Sequence, residues 1–307
     1  MKNTINFYYN IFLDELIKKD NCYYFYYGGD EYYFVRLNRP YDDVQSIYKL
    51  NLEMKKRRCL VHELVLNKDK SIITVVNGIS YVLIRLCKYK NDKVFLNDIN
   101  YIQNMTVNIE CDKSLVRNDW IKLWSEKIDY YEYQISQVGK KYPLLCDSLS
   151  YFIGMGENAI SYLVNNLDSK TNVNLVVSHK RIYQERGSLN FYDPLNFVVD
   201  SRVRDVAEFI KETFYNKTLN LYDLKSYFNM ANLNKNEYIL LLGRLLFPTY
   251  YFDIYDDIIN NGKSEELVIN IIDRTDEYES LLNTIYKFIL YEKKARLEPI
   301  EWLQDKN

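Results

Sequence analysis

The chain has 307 residues, of which 48% are hydrophobic and 27% charged, with a formal net charge of −2. That is enough apolar material for one large domain or two joined lobes without disulfides or metals. The near-balance of charge argues against a polyanion partner, since a nucleic-acid binder carries a basic surplus. Five cysteines without a CxxC pair and only two histidines, His62 and His179, leave no short-spaced zinc set. Reduced thiols in a cytosolic protein are the plain reading. The N-terminal stretch MKNTINFYYNIFLDELIKK lacks a long apolar core and a small-residue cleavage site, as a signal peptide would not. The longest apolar stretch, residues 238–252, is broken by Arg244 and Pro248, so no bilayer-spanning helix is expected. Tyrosine, at 31 copies, is the outlier. It reads as composition bias with an adhesive surface as the lesser contribution.

In chain order, residues 5–18 show a mixed helical pattern. Residues 22–36 predict a β-hairpin, with strands 22–27 and 31–37 around Gly28-Gly29-Asp30, where positive φ is tolerated. Residues 42–58 predict a helix, acidic at its start and basic at its end, as the macrodipole favours. Three short strands follow at 60–66, 72–76 and 80–86, the last two joined by Asn77-Gly78. A small antiparallel sheet crossed by one helix is the simplest packing. Beyond about residue 87 the pattern turns helical. Trp120, Trp124, Ile128, Tyr131, Ile135 and Val138 form one stripe, and Ala159 to Leu167 repeats the spacing. Further helices fit 204–215, 238–247 and 278–292, while 173–199 alone looks strand-like.

A β-rich front followed by a helical back resembles the protein-kinase superfamily. Five segments narrow the match: YFIGMGENAISYL at 151–163, VVSHKRI at 176–182, YDPLNFVVDSRVRDVAEFI at 192–210, GRLLFPTYYF at 243–252 and PIEWL at 299–303. In that order they resemble the choline-kinase and aminoglycoside-phosphotransferase branch, and within it the spore-coat kinase-like proteins of endospore-forming bacteria. The resemblance implies an α+β, protein-kinase-like bilobal fold. Its N-lobe, residues 1–87, is a small antiparallel sheet with one helix, and its C-lobe, residues 88–307, is larger and mostly helical.

The branch's chemistry uses ATP and Mg²⁺ held by four parts: a sheet lysine, a catalytic-loop Asp as base, an Asn on the same loop and a further metal-binding Asp. The resemblance places Arg36 where the lysine belongs, with Glu53 as its candidate partner; an exposed arginine and a solvated helix glutamate are the plain alternative. His179-Lys180-Arg181-Ile182 matches the loop that reads His-Gly-Asp-Leu, so Arg181 stands in the place of the base. Arg186 stands where Asn is expected. A guanidinium neither accepts a proton nor grips Mg²⁺. Asp193 and Asp205 keep the family's spacing of two acids, with Asp205-Val206-Ala207 opening a helix. Asp205 reads as a structural buttress of the loop or as a helix N-terminal carboxylate. Asp193 reads as the metal ligand, if there is one, or as an acid paired to Arg181. Gly28-Gly29 is not a phosphate-cradling pattern, and Lys55-Lys56-Arg57-Arg58 reads as a basic helix end rather than a nucleic-acid site.

Three functions follow. A pseudokinase would keep the fold as a binding or assembly component of the spore coat, with other coat proteins as partners. An active small-molecule phosphotransferase would need ATP, Mg²⁺ and an atypical residue set. A third reading keeps an anionic small ligand among Arg36, Lys180, Arg181 and Arg186 without transfer. Synthesis in the cytoplasm, with no nucleic-acid and no membrane partner, is expected in each case.

Overall fold

A computed structural model describes residues 1–19, 22–88, 93–168, 173–184, 191–300 and 303. The chain forms two compact units, one from residues 1–116 with 175–200 and one from 117–174 with 201–307.

The first unit opens with helix α1 (Lys2–Tyr9). The helical pattern expected over 5–18 stops there, because Asn10 adopts a left-handed conformation at φ 53° and ends the helix. Ile11 and Leu13 then alternate inward, a period of two that belongs to extended chain. Residues 17–19 form strand β1 rather than helix, pairing antiparallel with β2 (Cys22–Tyr27). β2 turns into β3 (Asp30–Arg36) through Gly28 and Gly29, at φ 61° and 89°. A side chain at either place would be strained, so the glycines serve the turn.

Helix α2 (Tyr41–Lys56) follows, with Asp42 and Asp43 in its first turn and Lys55 and Lys56 in its last. β4 (Glu63–Val65), β5 (Ile73–Val76) and β6 (Ile79–Arg85) complete the sheet. Asn77 and Gly78 both take positive φ, the requirement of a type I′ hairpin turn. Among the described residues the strand order is β1-β2-β3-β6-β4, with β5 also on β6. Ile5, Ile11 and Leu13 cover one face of it by packing on Phe25, Phe34, Tyr81 and Leu83. The N-terminal segment is thus a cap rather than one long helix.

Helix α3 (Leu96–Thr106) was not legible in the sequence. Its Thr106 hydroxyl accepts the Val177 amide at 3.0 Å and fixes β7 (Leu175–His179) beside it. β7 pairs with β8 (Phe197–Ser201) in a two-stranded sheet. Residues 175–179 and 197–201 are thus strands, within or at the edge of the stretch, 173–199, that looked strand-like in the sequence.

The second unit is helical: α4 (Trp120–Val138), α5 (Pro143–Asn166), α6 (Val203–Tyr215), α7 (Leu221–Ala231), α8 (Lys235–Leu246), α9 (Thr249–Asn261) and α10 (Thr275–Lys287). Glycines explain two of the resemblance segments. Gly156 lets α5 approach α4, since a Cβ there would meet Ile128 Cδ1 at 2.9 Å. Gly243 is tighter: a Cβ would lie 2.4 Å from Leu163 Cδ2, so α8 packs backbone-close on α5.

Two buried cations of this unit, Lys211 and Arg244, converge on Glu208. Its carboxylate accepts Arg244 Nε at 2.8 Å and Thr249 Oγ1 at 2.9 Å, and lies 3.4 Å from Lys211 Nζ. Lys211 also donates to the Phe247 carbonyl and to Thr249 Oγ1. Burial pushes the Lys211 ammonium down to about 8, opposed by the neighbouring Glu208. The Arg244 guanidinium lies over the Trp120 ring at 4.7 Å, and Trp124 stacks on Phe247 at 4.3 Å. The tryptophan stripe read from the sequence is the wall of this network.

Gly243→Ala is expected to lower stability by about 1–3 kcal/mol despite its better helix propensity, because the added methyl overpacks the α5–α8 contact. Urea titration checks this, and the cost should shrink in a Leu163→Ala background, where the clashing side chain is gone. Glu208→Gln is expected to cost more than Lys211→Met. The first leaves two buried cations facing a neutral amide, at about 3–5 kcal/mol, whereas the second leaves the Glu208–Arg244 pair intact. Thermal melting of the two variants side by side decides the order.

Candidate functional site

The resemblance segments of the first unit meet around the turn between β7 and β8. His179, the last residue of β7, is buried, and its Nε2 lies 2.7 Å from the Phe191 carbonyl. A carbonyl only accepts, so Nε2 carries the proton. The ring stacks on Phe191 at 4.7 Å and meets Phe197 edge-on at 5.3 Å. This histidine packs and orients the turn.

Arg181 lies two residues further on, half-buried. Its Nη1 donates to the Lys180 carbonyl at 2.8 Å. Its backbone is clasped by Asn196, whose Nδ2 donates to the Arg181 carbonyl at 2.8 Å and whose Oδ1 accepts from the Arg181 amide at 3.4 Å. The Lys180 amide donates to the Asn196 carbonyl at 2.8 Å. The backbone of Lys180 and Arg181, which the resemblance aligns with the catalytic loop, is therefore held by hydrogen bonds to Asn196, and the Arg181 guanidinium supplies donors there. Arg186 lies outside the described residues.

Asp193 caps a short 3₁₀ turn, Pro194–Asn196, by accepting the Leu195 amide at 2.9 Å. The residue keeps some exposure, but its carboxyl is densely surrounded. Loss of solvation pushes its pKa up to about 7, and the Leu195 amide, Arg39 and His179 only partly offset this. The pairing of Asp193 with Arg181 is not formed. Among the described residues, Arg39 and His179 are the side chains whose electrostatics oppose that rise.

Arg39 is the residue the sequence reading missed. It is buried just before α2, and its Nη2 donates to the Phe197 carbonyl at 2.5 Å. Its Nη1 lies 3.9 Å from Asp43. The signal available was Arg39-Pro40 immediately before an acidic helix start, a position that turns a side chain back toward the helix N-terminus. Arg36, three residues earlier, ends β3 exposed. Glu53 does not meet it. That carboxylate pairs with Lys56 and Arg57 on its own helix, and these two hold it below the usual carboxylate range. The basic helix end is consumed likewise: Lys55 pairs with Glu63, and Arg57 donates to the Val107 carbonyl.

Two further residues shape the surroundings. His62 is fully buried, and its Nδ1 accepts the Cys87 amide at 3.1 Å, which places the proton of the neutral ring on Nε2. Its backbone amide donates to the Tyr192 carbonyl, and its carbonyl accepts from Asn51 of α2. Asp200, in β8, is completely buried and also escaped the sequence reading. It sits at the end of the strand that follows the loop, whereas Asp193 sits before that strand. Asp205 is buried in the first turn of α6 in the second unit.

This arrangement does not fit Mg²⁺ at the positions the resemblance named. Arg181 supplies donors in place of an acceptor. Asp193 spends one oxygen on a backbone amide and is held near neutrality. Among the described residues no three His, Cys, Asp or Glu side chains gather as a metal-binding group.

Comparison with known proteins agrees with the fold. The family model described as "Spore coat putative kinase YutH" matches residues 2–285. The Endospore coat-associated protein YutH of Bacillus subtilis (strain 168) is 30% identical over 207 residues, which is 60% of this chain and 61% of that protein's length. An aminoglycoside phosphotransferase from Alicyclobacillus acidocaldarius superposes with a TM-score of 0.66 at 10% identity, covering 92% of this chain and 94% of its own. A spectinomycin phosphotransferase solved with ADP and spectinomycin gives 0.57 at 9% identity, covering 86% and 89%. Amicoumacin kinase, solved with AMP-PNP and Ca²⁺, gives 0.55 at 11%, covering 91% and 92%. These structures show the kinase-like phosphotransferase fold.

A raised carboxylate pKa makes a signed prediction. The folded protein favours protonated Asp193, so that stabilisation is complete below the ordinary carboxylate pKa and is lost as pH rises through about 7. Asp193→Asn keeps the bond from the Leu195 amide without the charge. Its melting temperature should therefore exceed the parent's at pH 8, by less at pH 5, and match it only below about pH 4, a trend that parallel melts across this range measure.

Proposed function

This chain belongs to the spore coat YutH family, and from that premise we propose that it is a pseudokinase: a binding and assembly component of the endospore coat that keeps the phosphotransferase fold without phosphoryl transfer. The observation that carries the reading is Arg181. The resemblance sets it in the base's place, Asn196 holds its backbone amide and carbonyl, and its guanidinium is turned onto the Lys180 carbonyl. Phosphoryl transfer is mostly positioning and charge stabilisation, so loss of the base alone leaves some rate. Here the metal-handling acid is compromised as well. Asp193 is bonded to its own turn and pushed toward the neutral form.

The coat assignment rests on the family match and on the coat-associated relative, which this chain matches over about six tenths of that protein's length. The lobe boundary near residue 87 belongs to the same proposal. No helix among the described residues is long and apolar enough to cross a membrane.

Thermal melting with ATP, with and without Mg²⁺, tests the reading, alongside a phosphate-release assay. No Mg²⁺-dependent shift and no release above a protein-free blank are expected. A Mg²⁺-dependent shift together with phosphate release that Asp200→Asn or Asp193→Asn abolishes would establish the alternative, an atypical phosphotransferase. A shift with inorganic phosphate but not with Mg²⁺-ATP would instead favour an anion-binding site at Lys180 and Arg181.

A further inference from the structure

An unbroken run of ring contacts crosses the second unit between α4 and α9. Trp120 and Trp124 stack at 5.4 Å. Trp124 stacks on Phe247 at 4.3 Å, Phe247 meets Phe252 at 5.4 Å, and Phe252 stacks on Tyr131 at 4.5 Å. Every ring in the run is buried. Trp124 and Tyr131 also lie about two turns apart on α4, ~10 Å along its axis. Tryptophan and tyrosine are the aromatic side chains that yield one electron to an oxidising radical. Phenylalanine is not oxidised and acts only as a bridge between them.

The two ends of the run differ in charge and in proton acceptors. At the tryptophan end the Arg244 guanidinium lies 4.7 Å from the Trp120 ring and 5.9 Å from the Trp124 ring. A cation over a ring disfavours a positive hole on it, and it does so most for Trp120. At the other end the Tyr131 hydroxyl donates to Asp256 Oδ2 at 2.8 Å. An oxidised phenol is a strong acid, so tyrosine loses an electron easily only where a base takes the proton. An ionised carboxylate in hydrogen-bond contact is such a base. Lys127 Nζ lies 3.8 Å from the same oxygen and 5.3 Å from the Tyr131 ring. It favours the ionised carboxylate, while its field on the ring works against the hole.

Two tyrosines adjoin Tyr131. Tyr255, at 4.9 Å, is fully buried, and its hydroxyl has no partner among the described residues, so its proton has nowhere to go. Tyr130, at 5.5 Å, is 47% exposed and can release its proton to water.

We propose that α4 and α9 hold a hole-transfer path that carries oxidising equivalents from Trp124 through Tyr131 to Tyr130 at the surface. An oxidising radical takes one electron from Trp124 and is itself reduced. Tyr131 returns an electron to Trp124 and its proton passes to Asp256, leaving a neutral tyrosyl radical beside a protonated carboxyl. Tyr130 then gives an electron to Tyr131, which recovers its proton from Asp256, and the Tyr130 proton goes to water. A thiol in solution donates the hydrogen atom that restores Tyr130 and becomes a thiyl radical. The path needs neither nucleotide nor a coat partner, so it stands apart from the function proposed above.

Time-resolved absorption of the full chain tests it. Flash excitation of tryptophan, with hexaamminecobalt(III) as the irreversible electron acceptor, creates the tryptophan radical inside the folded protein. A Trp302→Phe background removes the third tryptophan, which lies outside the described residues. The tryptophan radical band should give way to a tyrosyl band at a rate independent of protein concentration and slower in D₂O. Asp256→Asn accepts a hydrogen bond but no proton, and should slow the conversion about tenfold or more. Tyr131→Phe keeps the stacked ring and should abolish it. Tyr130→Phe should leave the conversion unchanged and slow the removal of the tyrosyl signal by added thiol. Conversion in Tyr131→Phe at the parent's rate, or a rate proportional to protein concentration, would overturn the path. Removal by thiol that is as fast in Tyr130→Phe as in the parent would overturn Tyr130 as its outlet.

Discussion

Arg39 is the interaction on which the candidate site depends. Its guanidinium bonds the first carbonyl of β8, faces the first turn of α2 and sends its field to Asp193. A buried cation is tolerated only with acceptors around it. One acceptor, the Phe197 carbonyl, is far away in the chain and the other, Asp43, is four residues on, so satisfying one side chain draws the start of α2 and β8 together. Its hydrogen bond is spent on the protein's own backbone.

The same economy operates in the second unit. Glu208 is the shared acceptor for Arg244, Thr249 and Lys211, and Lys211 uses its remaining donors on the Phe247 carbonyl and the Thr249 hydroxyl. A lysine with all three donors engaged has nothing left for a ligand. Five tyrosines line a slot beside it, but the slot is nearly closed. Three of their hydroxyls are engaged, by Glu279, by Ser148 and by the Leu245 carbonyl. Both units thus turn polar chemistry inward, which suits a protein whose contacts are made by its surface.

Legibility followed the range of the interaction. Turns were readable because Gly28-Gly29 and Asn77-Gly78 demand positive φ regardless of context. So was α2, whose charge gradient is local. The cap was misread because helical spacing in residues 5–18 competes with Asn10 and with a sheet face that only the folded chain presents. α3 was missed because what fixes it is a tertiary bond, the Thr106 hydroxyl to the Val177 amide. The site behaved alike. Arg181, where the resemblance expects a base, is visible in one line of sequence. The partners of Asp193 are not, since Arg39 is 154 positions away from it in the chain.

On the pseudokinase reading proposed above, that division explains how a kinase-like fold would outlast kinase chemistry. The segments that carry the resemblance turn out to hold packing constraints. Gly156 and Gly243 permit close helix approach. His179 stacks on Phe191, meets Phe197 edge-on and donates to a carbonyl. Asn196 clasps the loop by its backbone, blind to the side chain at 181. Each of these requirements persists if the phosphate is never bound. The catalytic aspartate has no such second duty, because a base must keep its lone pairs exposed to substrate rather than committed to the fold. Once transfer is no longer needed, that position is free to become arginine. The histidine two residues before it is not.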